Sequence, residues 1–482
     1  MSRLVATMLL LAVWPAPASG PADPARGAPA TLRLDYYHTG SATDERFALD
    51  ALTIEGPWAG NPDRPLDDTN LGKYLFEVID RGTNQVVYSR GFASIYGEWE
   101  TTGEAGRTNR TLHESLRFPE PSGPAQVVLK KRGSDGMFRE VWTIAVDPAD
   151  PRVDRTGPPP EGAVWTVVES GPPAFKVDVV FLGDGYAADE MDKWHRDARR
   201  MAEILLAVSP YRERRGDFNV RAIATPSLRS GVARPSDGVH RRSALRVAYD
   251  AFGSERYVLA FDNRRIREAA AAAPYEAMVL VVNERKYGGG GIFNLYATTA
   301  SDNAFTPYVL VHEFGHHFAA LADEYYTSDV AYETGAERLE PWEPNVTARP
   351  EAPKWRDLVT PGVPLPTPWA KEAFETAQRE VQERRRLIRA EGRPEEEMEA
   401  LFREEQARVE ALLEAGPHPR AVGAFEGAMY EADGYFRPQA NCMMFSRSDE
   451  LCAVCRRAVE RVIDLYSRPA PRGRTAVSWG IP

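Results

Sequence analysis

Apolar and polar residues alternate through the first third of the chain. Leu32-Arg33-Leu34-Asp35-Tyr36-Tyr37 opens the pattern. Residues 73–79 and 85–88 continue it on either side of Asp80-Arg81-Gly82-Thr83-Asn84, a loop of hairpin composition. Residues 126–130 and 138–144 repeat it around Gly133-Ser134-Asp135-Gly136. A period of two predicts half-buried strands, and their spacing predicts a small β-sandwich over 31–150. The proline-rich stretch 148–160 marks a boundary.

From residue 163 the pattern changes. Val177-Asp178-Val179-Val180-Phe181-Leu182 is nearly continuous in apolar character, as in a strand covered on both faces. Gly183-Asp184-Gly185-Tyr186 then leads into a predicted helix over 190–208. Further strands are predicted at 218–224 and 277–282, with a helix at 265–273 before the second. Strands alternating with helices predict an α/β layer with a mixed sheet over 163–467. Gly288-Gly289-Gly290-Gly291 precedes another strand; four glycines suit a close backbone approach at a cleft, and no GK[ST] follows to suggest nucleotide binding. Residues 368–415 differ again. Two segments dense in Glu and Arg, 371–391 and 395–414, flank Gly392-Arg393-Pro394. Glu375/Arg379 and Glu380/Arg384 have i,i+4 spacing, so this region reads as an inserted, solvated helical hairpin that serves as a spacer or a substrate-selecting protrusion. The fold class is α+β.

Composition narrows the function. The 482 residues carry a net charge of −11, which argues against nucleic acid as a partner. Past the N-terminus no apolar run reaches the length of a membrane span, so none is expected in the mature chain. Arg3, an apolar stretch over 4–14 and Ala16-Pro17-Ala18 read as a signal peptide cut after Ala18. A flexible linker over 19–30 follows, and the chain is expected to be secreted or periplasmic.

The chemistry is carried by His312-Glu313-Phe314-Gly315-His316, an H-E-x-x-H on a predicted helix. Residues four apart share a helix face, so His312 and His316 can reach one Zn²⁺ ion. Glu313 is placed to serve as the general base for an attacking water. A third ligand is harder to read. Gly and a ligand at seven and ten residues past the first His would complete a metzincin pattern, but Ala319 and Ala322 stand there. In an unbroken helix Asp323 would lie ~10 Å along the axis from His316, out of reach. Asp323 therefore qualifies if the helix stops near 317–320; otherwise a later carboxylate such as Glu426 is needed.

These residues, with Leu321-Ala322-Asp323-Glu324-Tyr325 after them, resemble the signature of the bacterial IgA-metallopeptidase family of zinc peptidases. The resemblance extends to Gly183-Asp184-Gly185-Tyr186, the segment 286–294, Phe425-Glu426-Gly427-Ala428-Met429-Tyr430 and Cys442-Met443-Met444 with Cys452-Ala453-Val454-Cys455. It implies a metzincin-like catalytic domain after a β-rich one. It also implies His312, His316 and Asp323 as zinc ligands and a protein or peptide substrate.

The C-terminal block adds expectations of its own. Cys442-Met443-Met444 is expected to turn tightly beneath the zinc site. Tyr435, or else Tyr430, is a candidate donor to the oxyanion of the reaction. With three cysteines in an exported chain, Cys442 is expected to pair with Cys452 or Cys455; a second zinc lacks a fourth nearby soft ligand. An extended substrate is expected to pair with the strand edge over 291–297, with Asn294 or Leu295 supplying an N–H. Competing readings are a zinc amidase acting on cell wall and an inactive binding protein on the same fold. Glu313 and both histidines are retained, which speaks against the second.

Overall fold

Seven strands form the N-terminal unit: β1 (Ala30–Gly40), β2 (Glu45–Pro57), β3 (Tyr74–Asp80), β4 (Gln85–Phe92), β5 (Arg110–Pro119), β6 (Ala125–Arg132) and β7 (Phe138–Val146). They make two antiparallel sheets, ordered β2-β1-β5 and β4-β3-β6-β7. Every second side chain points between them, so Leu32, Leu34 and Tyr36 of β1 meet Tyr74, Phe76 and Val78 of β3 in one core. The chain is described by a computed structural model over residues 28–157, 163–327 and 338–467. The expected signal peptide, 1–18, lies outside these residues.

The outer face of β1 is buried as well. Arg33 and Arg117 both pair with Glu55, and the Arg117 guanidinium lies 3.6 Å from the Tyr275 ring centroid. Between β4 and β5 the short helix α1 (Ile95–Trp99) sends Tyr96 and Trp99 into the larger core that follows. The sandwich is thus fused to the rest of the molecule through its own side chains.

The second unit is built on a six-stranded sheet ordered β14-β15-β13-β9-β10-β8. Its strands are β8 (Val164–Val168), β9 (Val177–Asp184), β10 (Phe218–Ile223), β13 (Ala277–Val282), β14 (Gly289–Ile292) and β15 (Tyr296–Ala300). A small ribbon, β11 (Val247–Ala248) and β12 (Leu259–Ala260), stands outside it. The four inner strands run parallel, and β8 and β14 close the edges antiparallel. Every residue of β9 and β13 is buried, which explains their unbroken apolar runs. Helices α2 (Met191–Leu205) and α4 (Thr306–Ala319) pack on this sheet and on each other, and α3 (Asn263–Ala270) bridges β9 to β5.

After a long connection come α5 (Lys371–Ala390) and α6 (Glu395–Glu414), then the hairpin β16 (Phe425–Ala428) and β17 (Glu431–Arg437), and α7 (Ala453–Tyr466) against α4. The α5–α6 pair does not stand free in solvent as a spacer. Met398, Leu401, Phe402, Val381 and Ile388 share a cluster with Tyr287, Phe305 and Val309, at the entry to α4. Its charges also differ from the i,i+4 expectation at one pair: Glu380 pairs with Arg408 and Arg384 with Glu404, across the two helices. None of the helices among the described residues is long and apolar enough to cross a membrane.

Candidate active site

Helix α4 begins with Pro307 in its first turn and stops at Ala319. Ala320 takes a left-handed conformation, φ 56°, and its N–H donates to the His316 carbonyl. The Leu321 N–H donates to the Gly315 carbonyl, so the chain reverses sharply and carries Asp323 back to the helix. There Asp323 Oδ1 lies 3.0 Å from His312 Nε2 and 3.2 Å from His316 Nε2, and the two Nε2 atoms are 3.1 Å apart.

Second contacts fix the direction of each group. His312 Nδ1–H donates to the Met443 carbonyl at 3.1 Å and His316 Nδ1–H to the Leu321 carbonyl at 2.5 Å. Both imidazoles therefore turn a lone pair on Nε2 toward Asp323. The Tyr430 hydroxyl donates to Asp323 Oδ2. Asp323 Oδ1 is buried and has no donor of its own. With both imidazoles neutral, their Nε2 lone pairs and the Asp323 carboxylate oxygen converge as an acceptor-only pocket that a cation completes. The three separations, 3.0, 3.2 and 3.1 Å, fall a little inside the about 3.3–3.6 Å between tetrahedral ligands held about 2.0–2.2 Å from zinc.

The loop bearing Asp323 is held from three sides. Met429 N–H donates to the Asp323 carbonyl and Tyr430 N–H to that of Tyr325, both at 3.0 Å, from the β16–β17 turn. Glu324 N–H donates to the Met444 carbonyl at 2.8 Å. Asn345 spans Ala322 with both ends of its amide. Met443 and Met444 lie in a turn closed by Phe445 N–H on the Cys442 carbonyl, and the Met444 sulfur packs beneath Gly315. A tight turn is thus present beneath α4.

Glu313 faces a cleft of about 530 Å³ between the two units. Its carboxylate lies within 4.8 Å of the ring nitrogens of His312 and His316. Burial raises its pKa, against the opposing pull of the two histidines. Burial also draws His316 down, but Asp323 more than reverses this and holds it at about 9 while no cation is bound. Asp323 stays well below the usual carboxylate range despite its burial, because both imidazoles face it. Arg256 and Tyr325 line the same cleft, joined by a 3.1 Å hydrogen bond.

Strand β14 forms one wall. A Cβ on Gly291 would stand 2.2 Å from the Glu313 carbonyl oxygen, and one on Gly289 would stand 2.9 Å from Glu313 Cγ. The glycines let α4 lie directly on the sheet edge. The expected substrate donors Asn294 and Leu295 are already spent: Asn294 N–H goes to the His317 carbonyl and Leu295 N–H to that of Ile292. Of β14, Gly289 and Gly291 line the cleft; Gly289 is already paired, its N–H donating to the Arg256 carbonyl and its carbonyl accepting from Val258 N–H, which leaves Gly291 as the candidate contact.

Other expected residues fall elsewhere. Tyr435 lies on the cleft wall with Arg338 5.6 Å from its ring, and of the two candidate tyrosines it is Tyr430 that touches the cluster. Glu426 pairs with Lys371 at 3.0 Å and takes no part. Asp184 is buried, accepting from Leu245 and Val247 N–H and from Ser243, so it ties down a loop. The three cysteines are free thiols rather than a disulfide; Cys442 and Cys455 sulfurs are 3.8 Å apart, well beyond a ~2.05 Å bond.

Residues 27–143 match the family described as Peptidase M64 N-terminus. No curated protein matches the chain. Residues 166–463, more than half of the chain and the part that holds the His312, His316 and Asp323 cluster, match the family described as IgA Peptidase M64, and the protein belongs to that family of metallopeptidases.

Proposed function

We propose that the protein is an exported, zinc-dependent endopeptidase with a metzincin-like catalytic domain and a helical hairpin inserted beside its cleft. The observation that carries this reading is the convergence of His312, His316 and the donorless Asp323 Oδ1 beside a half-buried Glu313. His312, His316 and Asp323 hold the ion. When bound, zinc supplies a positive charge that polarises a carbonyl and acidifies water.

The rest is done by the chain. Glu313 takes a proton from the attacking water and returns it to the leaving amine. Its partial burial raises its proton affinity, which suits a group that must both accept and give. Arg256 presents fixed positive charge to the same cleft and opposes the negative charge growing on the substrate carbonyl. The substrate lies extended beside β14, whose Gly291 lines the cleft. The helical hairpin packs against the start of α4 and, through Gln378, Arg385 and Glu405, lines a small pocket that reaches His312 and Glu313.

Glu313→Gln tests this. It keeps the shape and removes the base, so kcat/KM on a cleaved library peptide should fall ~10²–10⁴-fold while peptide binding persists. Turnover at the wild-type rate would overturn the assignment.

A further inference from the structure

A second cluster of ligating atoms lies behind the Asp323 loop, apart from the cleft. Cys442, Cys452, Cys455 and Glu324 bring three sulfurs and a carboxylate oxygen within 4.8 Å of one another, and all four residues are buried. We propose that they hold a second, structural metal ion, zinc or another thiophilic divalent cation.

The distances suit such an ion. Cys442 Sγ and Cys455 Sγ are 3.8 Å apart, and Cys455 Sγ is 3.2 Å from Glu324 Oε1. Zinc with sulfur ligands at ~2.3 Å in a tetrahedron spaces those sulfurs about 3.8 Å apart.

The backbone around the sulfurs is arranged for thiolates. Met444 N–H and Cys452 N–H both point at Cys442 Sγ, at 3.5 and 3.2 Å, and Cys455 N–H points at Cys452 Sγ at 3.4 Å. Cys452 caps the N-terminus of α7 through that contact. Amide donors converging on sulfur stabilise negative charge there and orient ligands.

Glu324 is the second, independent indication. It is fully buried, and its Oε2 has no hydrogen-bond partner. Oε1 accepts from Asn345 at 2.9 Å. The buried guanidinium of Arg437 spends its Nη atoms on the carbonyls of Glu426, Gly427 and Ala440, not on this carboxylate. A buried carboxylate beside three thiols, with one oxygen unsatisfied, is costly without a cation. Sequence spacing offered three soft ligands and no fourth; the fold adds a carboxylate as the fourth, from the residue after Asp323.

That placement gives the ion a task. Glu324 adjoins Asp323, and Cys442 begins the turn whose Met443 carbonyl orients His312. Closing the cluster would fasten the third ligand of the active site and the support of the first. Binding would release the thiol protons to solvent.

Metal analysis of the purified full chain tests this. Wild type should carry about two zinc equivalents. The double variant His312→Ala/His316→Ala, which leaves the cysteines intact, should keep about one. That remaining site, exchanged with Co²⁺, should show thiolate-to-metal charge-transfer absorption in the near ultraviolet. Cys442→Ser/Cys455→Ser should lose the equivalent that the histidine variant retains. A single equivalent in wild type that vanishes with the histidines would overturn the proposal. So would a Cys442–Cys455 disulfide found by mass spectrometry in active wild-type protein.

Discussion

His317 shares α4 with His312 and His316 but faces the opposite way. Its Nε2 accepts the Met278 N–H of β13 at 3.0 Å, and its Nδ1–H donates to the Ile292 carbonyl of β14 at 3.1 Å. Only the neutral ring can do both, and burial, which lowers its pKa to about 4, keeps it neutral. The residue thus pins the helix to two strands. His317→Leu should cost ~1–3 kcal/mol by leaving the buried Met278 N–H without an acceptor. Zinc content should be unchanged, and equilibrium unfolding with metal analysis checks both. Tyr430 acts in the other direction, on the carboxylate. Tyr430→Phe removes the hydroxyl that donates to Asp323 Oδ2 and should weaken metal affinity ~10–100-fold, read by competition with a chelator. At this scale the sequence was partly legible. The i,i+4 histidines follow from helix periodicity alone. Asp323 required knowing where the helix stops, and the stop is an alanine in a left-handed turn, which carries no glycine signal. Tyr430 reaches Asp323 across 107 residues of chain, a contact no local pattern encodes.

Among the elements, β14 and α4 are mutually dependent. The strand is a glycine run because the helix backbone occupies the space a side chain would need. Gly291→Ala is expected to push α4 off the edge, since its Cβ would meet the Glu313 carbonyl and His316 Cβ together. The variant should lose ~1–3 kcal/mol of stability and a larger share of activity, because both groups belong to the site. Thermal unfolding and kcat/KM, measured on the same sample, check it; wild-type values for both would refute the packing argument. Strands β1, β3, β4, β6 and β7 of the sandwich and the inner strands β9 and β13 were legible from their periods, two in one case and an unbroken run in the other, whereas β2 and β5 were not read. Strand β14 was not, because four glycines have no hydrophobic pattern to read. The helical hairpin was legible as two helices, but its interior was not. Its few apolar residues are spaced among charges, and only the fold shows them meeting Tyr287, Phe305 and Val309.

Across the whole molecule, the two units share a core, and His38 lies at the join. It is buried in β1, bonded to Glu114 and Glu45 at 3.1 Å each, with its ring stacked 3.6 Å from that of Tyr96. Tyr96 belongs to α1, whose side chains sit in the core of the catalytic unit. Burial pulls the His38 pKa down, but the two carboxylates more than offset it and raise it above its ordinary value. A folded pKa above the unfolded ~6.5 means the folded state holds the proton more tightly. The stabilisation is therefore complete below pH ~6.5 and fades as pH rises through the folded value. His38→Gln removes the titrating group and most of the charge pairing. The stability gap between wild type and variant should be largest near pH ~6 and shrink toward pH ~9. Because His38 stacks on a helix embedded in the other unit, the loss should move a single cooperative transition rather than release the sandwich alone. Denaturant unfolding followed by both tryptophan fluorescence and loss of peptidase activity measures this. A gap independent of pH would remove the ion-pair account, and an activity transition that ignores the substitution would mean the sandwich folds apart from the site it borders.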